Sequence, residues 1–186
     1  MTMDALTALH TRVSAPRVTA PAPDRQTLEK ILKAGFRTAD HGLLKPWRFL
    51  VVEGESLQRL ADLFADATRA DAPESTETDI NTMRNKALRA PLIIVGIACP
   101  KPDTKVPVSE QLLSAGGALQ NMLTAAFALN VGVVWRTGPM ATHPVVMQGL
   151  GLTGDESIIG FLYMGTIDGS LRKLPDEPID AHVRYW

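Results

Sequence analysis

Gln111-Leu112-Leu113-Ser114-Ala115-Gly116-Gly117-Ala118-Leu119-Gln120-Asn121, continued by Met122 to Trp135, is a stretch without one charged side chain. A run of this length must be weighed as a membrane span, which needs about 20 consecutive apolar residues. Gln120 and Asn121 stand at its middle, however, and Asn130-Val131-Gly132 interrupts it before the β-branched pair Val133-Val134. An Asn–Gly break closes a helix, and β-branched residues start a strand. The stretch therefore reads as a long buried helix from Ser109 to Leu129 and a strand from Gly132 to Arg136.

Working outward, Pro91 opens the apolar run Leu92 to Ala98, read as a buried strand. Before it, a helix near Asp79 to Leu88 follows a polar loop from Asp71 to Thr78. A helix from Ser56 to Ala70 buries Leu57, Leu60, Leu63 and Phe64 at helical spacing, and Arg48 to Val52 reads as a strand. Phe36 to Lys45 is irregular. Asp24 caps a helix running to about Gly35, Arg12 to Pro23 is extended with three prolines, and Asp4 to Thr11 is a short helix. Downstream come a short helix near Pro144 to Leu150, a strand from Ser157 to Met164, and a tail ending in Tyr185-Trp186. Those two aromatics need a packing surface, on the parent domain or on a partner subunit. Four strands interspersed with five or six helices, without linker or repeat, predict one mixed layered domain over residues 1–186.

Composition narrows the function. The net charge is −1 and no basic stripe is interleaved with aromatics, which argues against a nucleic-acid partner. Asp4, Thr7 and His10 stand where a signal peptide would need a basic flank and an apolar core, so a cytoplasmic setting is expected. Cys99 is the only cysteine and lies in an apolar run, so it reads as a small buried hydrophobe. No paired-His or Cys-His spacing supports a metal, and no G-x-S-x-G supports a hydrolase nucleophile. His143 reads as first-turn surface, with Thr142 as the cap of the helix at Pro144, and His10 and His182 have no local partner, so none of the three reads as catalytic.

Gly149-Leu150-Gly151-Leu152-Thr153-Gly154 matches the dinucleotide fingerprint letter for letter. That mechanism needs a strand before the glycines and a helix after them, so that the pyrophosphate meets the helix N-terminus. The predicted order here is reversed. The segment reads as a helix C-cap and turn.

Two other segments stand apart: Arg12-Val13-Ser14-Ala15-Pro16-Arg17, and Arg37-Thr38-Ala39-Asp40-His41-Gly42-Leu43-Leu44-Lys45-Pro46-Trp47-Arg48-Phe49. Each follows a predicted helix and runs through irregular backbone, where binding groups concentrate. Taken singly, Arg12, Arg17, Arg37, Lys45 and Arg48 are ordinary surface cations. Repetition of a cation with a small polar residue in two loops points to an anionic ligand.

With these motifs the chain resembles the nitroreductase superfamily, in particular its short-chain bacterial NAD(P)H nitroreductases. The family's opening Arg-Arg-Ser-x-Arg stands here as Arg12-Val13-Ser14-Ala15-Pro16-Arg17. Its stretch ending in Gln-Pro-Trp stands as Ala39-Asp40-His41 through Lys45-Pro46-Trp47. The helix rich in small residues at Ser114 to Asn121, running into Leu129 to Gly138, and the strand Ile158 to Gly165 complete the likeness. The resemblance implies an α+β fold with a central, mostly antiparallel sheet flanked by helices. It also implies a homodimer with FMN at each of two interface sites. By position, Arg12, Val13 and Ser14 would contact the phosphate and ribityl end or the pyrimidine edge. Arg37 and His41 would reach the flavin of the partner subunit. Trp135, Arg136 and Thr137 would lie along the isoalloxazine or phosphate, with backbone N–H groups near Thr137-Gly138 approaching flavin N5.

The activity so implied is NAD(P)H-dependent reduction of nitroaromatic, quinone or related acceptors in ping-pong order, with the flavin rather than a side chain carrying the redox step. Two other readings stay open: a same-fold flavoenzyme with other reductive chemistry, and a flavin-binding or flavin-delivery protein without turnover. The chain departs from the family at Val13, where a second arginine is usual, and at Lys45, where glutamine is usual. Little sequence separates Trp135 from Pro144, so an open acceptor site is expected.

Overall fold

The computed structural model describes residues 3–186. In chain order the elements are α1 (Ala5–Thr11), β1 (Val18–Thr19), α2 (Arg25–Gly35), β2 (Trp47–Glu53), α3 (Glu55–Asp71), α4 (Glu77–Ala87), β3 (Leu92–Ala98), α5 (Val108–Ala128), β4 (Gly132–Arg136), α6 (Pro144–Gly149) and β5 (Ser157–Ile167). Single 3-10 turns lie at His41–Leu43, Pro139–Ala141 and Ile179–Ala181. All strand pairs are antiparallel, in the order β1-β5-β3-β2. β4 also pairs with β5, so over residues 161–164 the last strand of the chain lies between β3 and β4.

Alternation along β3 and β5 explains why both sheet faces are covered. Ile93, Val95, Ile97, Phe161 and Tyr163 join Leu60, Phe64 and Ala87 in one core, on the α3–α4 side. Leu92, Ile94, Leu162 and Met164 join Ile31, Leu119 and Met122 in the other, on the α2–α5 side. Gly96 lets α5 approach closely, since a Cβ there would fall 2.7 Å from Leu119. No helix among the described residues is long and apolar enough to cross a membrane. α5 buries Ala115, Ala118, Leu119 and Met122 on one face and exposes Leu112 and Leu113 on the other.

Several local expectations change. The extended segment after α1 contributes the strand β1, pairing Val18 with Ile167 and Thr19 with Thr166. α4 starts at Glu77, because Thr76 and Asp79 form a reciprocal capping box. α6 is capped by His143 rather than Thr142: Nδ1 accepts the Val145 N–H, and Nε2 bonds Asp71 Oδ1 at 3.1 Å. His143 is buried, so the surface reading fails. The tail aromatics Tyr185 and Trp186 are fully exposed and do not pack on the parent chain.

The glycine-rich turn after α6 leads into β5, the reverse of the dinucleotide order, as its context predicts. Glu156 organises it. Its carboxylate accepts from Arg48 Nε and Nη2, both at 2.8 Å, from the Thr153 N–H at 3.0 Å, and from Cys99 Sγ at 3.0 Å. Arg48 Nη2 also donates to the Gly151 carbonyl at 2.9 Å. Arg48 is therefore a structural clamp and not a ligand-binding cation. Cys99 is only half-buried, and burial together with the Glu156 carboxylate pushes its thiol up to about 11.

The Arg48 bonds hold the Glu156 carboxyl down at about 2, against an ordinary 4.5. Because the folded value is the lower one, this stability is complete above pH 4.5 and drains away as pH falls toward about 2. Glu156→Gln is expected to lower the neutral melting temperature and to flatten the acid limb over that window. Circular-dichroism melts against pH would show it, and an acid limb of unaltered slope would refute it.

Candidate functional site

β4 delivers Trp135 and Arg136 to the rim of a cleft of about 430 Å³. Its floor is apolar: Phe64, Phe161 and Tyr163 are buried, and the two phenylalanine rings meet edge-on with centroids 5.9 Å apart. Thr137 and Gly138 form one wall, and Lys86 and Arg89, from the end of α4 and the turn after it, form another. Gly138 has φ of 100°, a conformation that suits glycine, and a Cβ there would meet nothing within 4 Å. The backbone after β4 is thus open to close approach by a ligand.

Arg136 is held from two sides. Its Nη2 donates to the Pro16 carbonyl at 3.2 Å, and its guanidinium lies 5.8 Å from the Tyr163 ring centroid. Its Nε is buried with no hydrogen-bond partner. A buried unpaired N–H is costly, so this atom calls for an acceptor from outside the chain.

The opening motif runs beside β4. Arg12 caps α1 through its backbone, and the Ala15 N–H donates to the Val133 carbonyl at 2.9 Å. Val13 lines a separate, smaller cleft of about 260 Å³ with Arg172, Lys173 and Leu174 of the tail. Arg172 and Lys173 were missed by sequence reasoning, as were Lys86 and Arg89. Only the local signal Leu171-Arg172-Lys173-Leu174, a cation pair between leucines, could have raised the first two. Arg17 forms an exposed ion pair with Asp168 at 3.9 Å.

Arg37 and His41 lie elsewhere. Arg37 is exposed just beyond α2. His41 Nδ1 sits 2.7 Å from Glu110 Oε2 in the first turn of α5, within a cleft of about 300 Å³ that shares no residue with the Trp135 cleft. Leu113 in that cleft and Leu43 two positions beyond His41 are exposed, as are Val108 at the start of α5 and Phe36 at the end of α2. Lys45 takes a left-handed φ of 49°, held by its N–H to Asp40 Oδ2 at 2.7 Å. Ala15 and Pro16 tie the opening motif to Val133 and Arg136 of β4; Trp135, Arg136 and Thr137 line one cleft, Val13 another and His41 a third, with Arg37 exposed beyond α2.

The sequence profile described as the Nitroreductase family matches residues 11–166. The chain belongs to the nitroreductase family. "Putative NAD(P)H nitroreductase YdjA" of Escherichia coli K12 is 42% identical over 164 residues, covering 88% of each chain. The nitroreductase-like family protein from Bacillus cereus superposes with a TM-score of 0.84 at 22% identity, over 100% of this chain and 98% of that one. A Desulfovibrio desulfuricans "putative nitroreductase in complex with fmn" gives a TM-score of 0.73 at 24% identity, over 97% and 95%. The nitroreductase fold expected from the sequence is thus the one observed, and the protein is an enzyme of this family.

Proposed function

We propose that the protein is an FMN-dependent oxidoreductase that uses NAD(P)H to reduce nitroaromatic, quinone or related acceptors. With a quinone, NAD(P)H and one proton yield NAD(P)⁺ and the quinol. The observation that carries the reading is the Arg136 cleft: a buried N–H without a partner and a turn open at Gly138, above an apolar floor. The nitroreductase–FMN complex of the same fold supports it. When bound, FMN supplies the redox chemistry, so no nucleophile or acid–base pair is required of the protein.

The chain's own groups bind and orient. Trp135 and Thr137 would hold the flavin ring, Arg136 would stabilise negative charge that develops on it, and backbone N–H groups at Thr137 and Gly138 would be available to bond it. Arg12, Val13 and Ser14 hold the ribityl phosphate end, aided by Arg172 and Lys173, as suits a dianion. Arg37 and His41 serve the flavin of the partner subunit in a homodimer, with Glu110 fixing the His41 ring. The exposed Leu43 and Leu113 near His41, Phe36 at the end of α2, and the uncovered Tyr185 and Trp186 favour such a partner. Nucleotide and acceptor use one open face in turn, a ping-pong order, in one cytoplasmic domain over residues 1–186.

The test is the absorbance spectrum of the purified protein followed by anaerobic titration. A yellow protein bleached by NADH or NADPH and reoxidised by nitrofurazone is expected. Bleaching by dithionite but by neither nucleotide would count against the reductase, and colourless protein that takes up no FMN would sink the reading entirely.

A further inference from the structure

The charge of the Arg136 cleft is unbalanced. Lys86, Arg89 and Arg136 all line it, and no Asp or Glu does. None of the three is in an ion pair with a carboxylate among the described residues, although the whole chain has a net charge of only −1. By contrast Arg84, two positions before Lys86 on α4, is paired with Asp62. Positive charge is thus left over at one place, above the apolar floor of Phe64, Phe161 and Tyr163.

On the reading proposed above, Arg136 serves the flavin ring and the phosphate is held by the opening motif, so no group of the cofactor is assigned to Lys86 or Arg89. We propose that the acceptor favoured by this cleft is an anionic aromatic, a flat ring bearing a carboxylate or comparable anion, with the anion toward Arg89 and Lys86. This rests on the flavoenzyme reading and adds the substrate class to it. Arg89 is the exposed member of the trio, on the rim where an incoming molecule first meets the protein. A guanidinium there accepts a carboxylate in planar, bidentate fashion. The same local field raises the encounter rate of anions and loses that effect as salt is added.

The experiment is isothermal titration of oxidised, FMN-loaded protein with 4-nitrobenzoate and with 4-nitrobenzamide, a neutral molecule of nearly the same shape, at low and high ionic strength. The carboxylate is expected to bind about fivefold more tightly at low salt, the scale of a partly exposed charge pair, and the advantage is expected to collapse at high salt. Arg89→Gln is expected to reduce the preference, read as the ratio of the two affinities in the same preparation, below about twofold. Equal affinities for the two probes, or a preference insensitive to salt, would overturn the proposal even if the variant fails to fold. Flavin absorbance is recorded in every sample. Protein that takes up no FMN overturns the underlying reading and the proposal with it, whereas yellow protein without charge preference overturns the proposal alone.

Discussion

Arg12→Ala is expected to yield a folded protein of unchanged oligomeric state that is purified with little of its FMN. The Arg12 side chain makes no hydrogen bond or ion pair among the described residues; only its backbone N–H is engaged, with the Ala8 carbonyl. Removing the guanidinium therefore breaks nothing inside the chain. A charge-assisted bond to phosphate contributes about 1.5–3 kcal/mol, which corresponds to roughly a 10- to 150-fold loss of flavin affinity. The absorbance ratio of flavin to protein, read beside sedimentation of the same sample, separates loss of ligand from loss of fold. Unchanged flavin occupancy removes Arg12 from the site.

Gly160→Ala has a comparable effect by a steric route. At the end of the β3–β5 pairing the register slips: Gly96 faces Gly160, whereas Ile97 faces Ile158, leaving Ile159 as a bulge. A bulge re-aims backbone groups, and here the Ile159 carbonyl accepts the Trp135 indole N–H at 3.2 Å. The indole lies directly over Gly160, where a Cβ would fall 1.9 Å from Trp135 Nε1. A single methyl must displace the ring. Overpacking of this kind costs about 1–3 kcal/mol, and the lost hydrogen bond costs about 1 kcal/mol more. Because Trp135 lines the cleft, the variant is expected to melt lower and to retain less flavin, with altered tryptophan fluorescence. Adding Trp135→Ala should reverse the stability penalty of Gly160→Ala without restoring flavin, since the two residues are in contact. Additive penalties would show that the clash is not the cause.

The fold was legible wherever side-chain periodicity was long enough to register. Leu57, Leu60, Leu63 and Phe64 marked α3, and Leu92 to Ala98 marked β3, because burial forces the pattern. β1 left no such trace. Two residues between prolines have no period, and Val18-Thr19 is a strand only because β5 extends to Ile167 and pairs with it. The site divided similarly. Trp135 and Thr137, expected from motifs, line the cleft, whereas Lys86 and Arg89 reach it through the packing of α4, which no local pattern records. Arg48 was grouped with the ligand-binding cations because its partner, Glu156, lies 108 positions away. His143 looked like surface because the Asp71 carboxylate that receives it is 72 positions distant.

The place of β5 in the sheet bears on how the protein is made. It is the last strand in the chain, yet over residues 161–164 it lies between β3 and β4 and joins them. It also supplies Phe161 and Tyr163 to the floor of the cleft. A nascent chain on the ribosome can pair β2 with β3 early, but β4 has no strand to pair with until Ser157–Ile167 has emerged. The cleft therefore cannot exist before β5 has been made, and until then β3 and β4 present unsatisfied strand edges to whatever meets them.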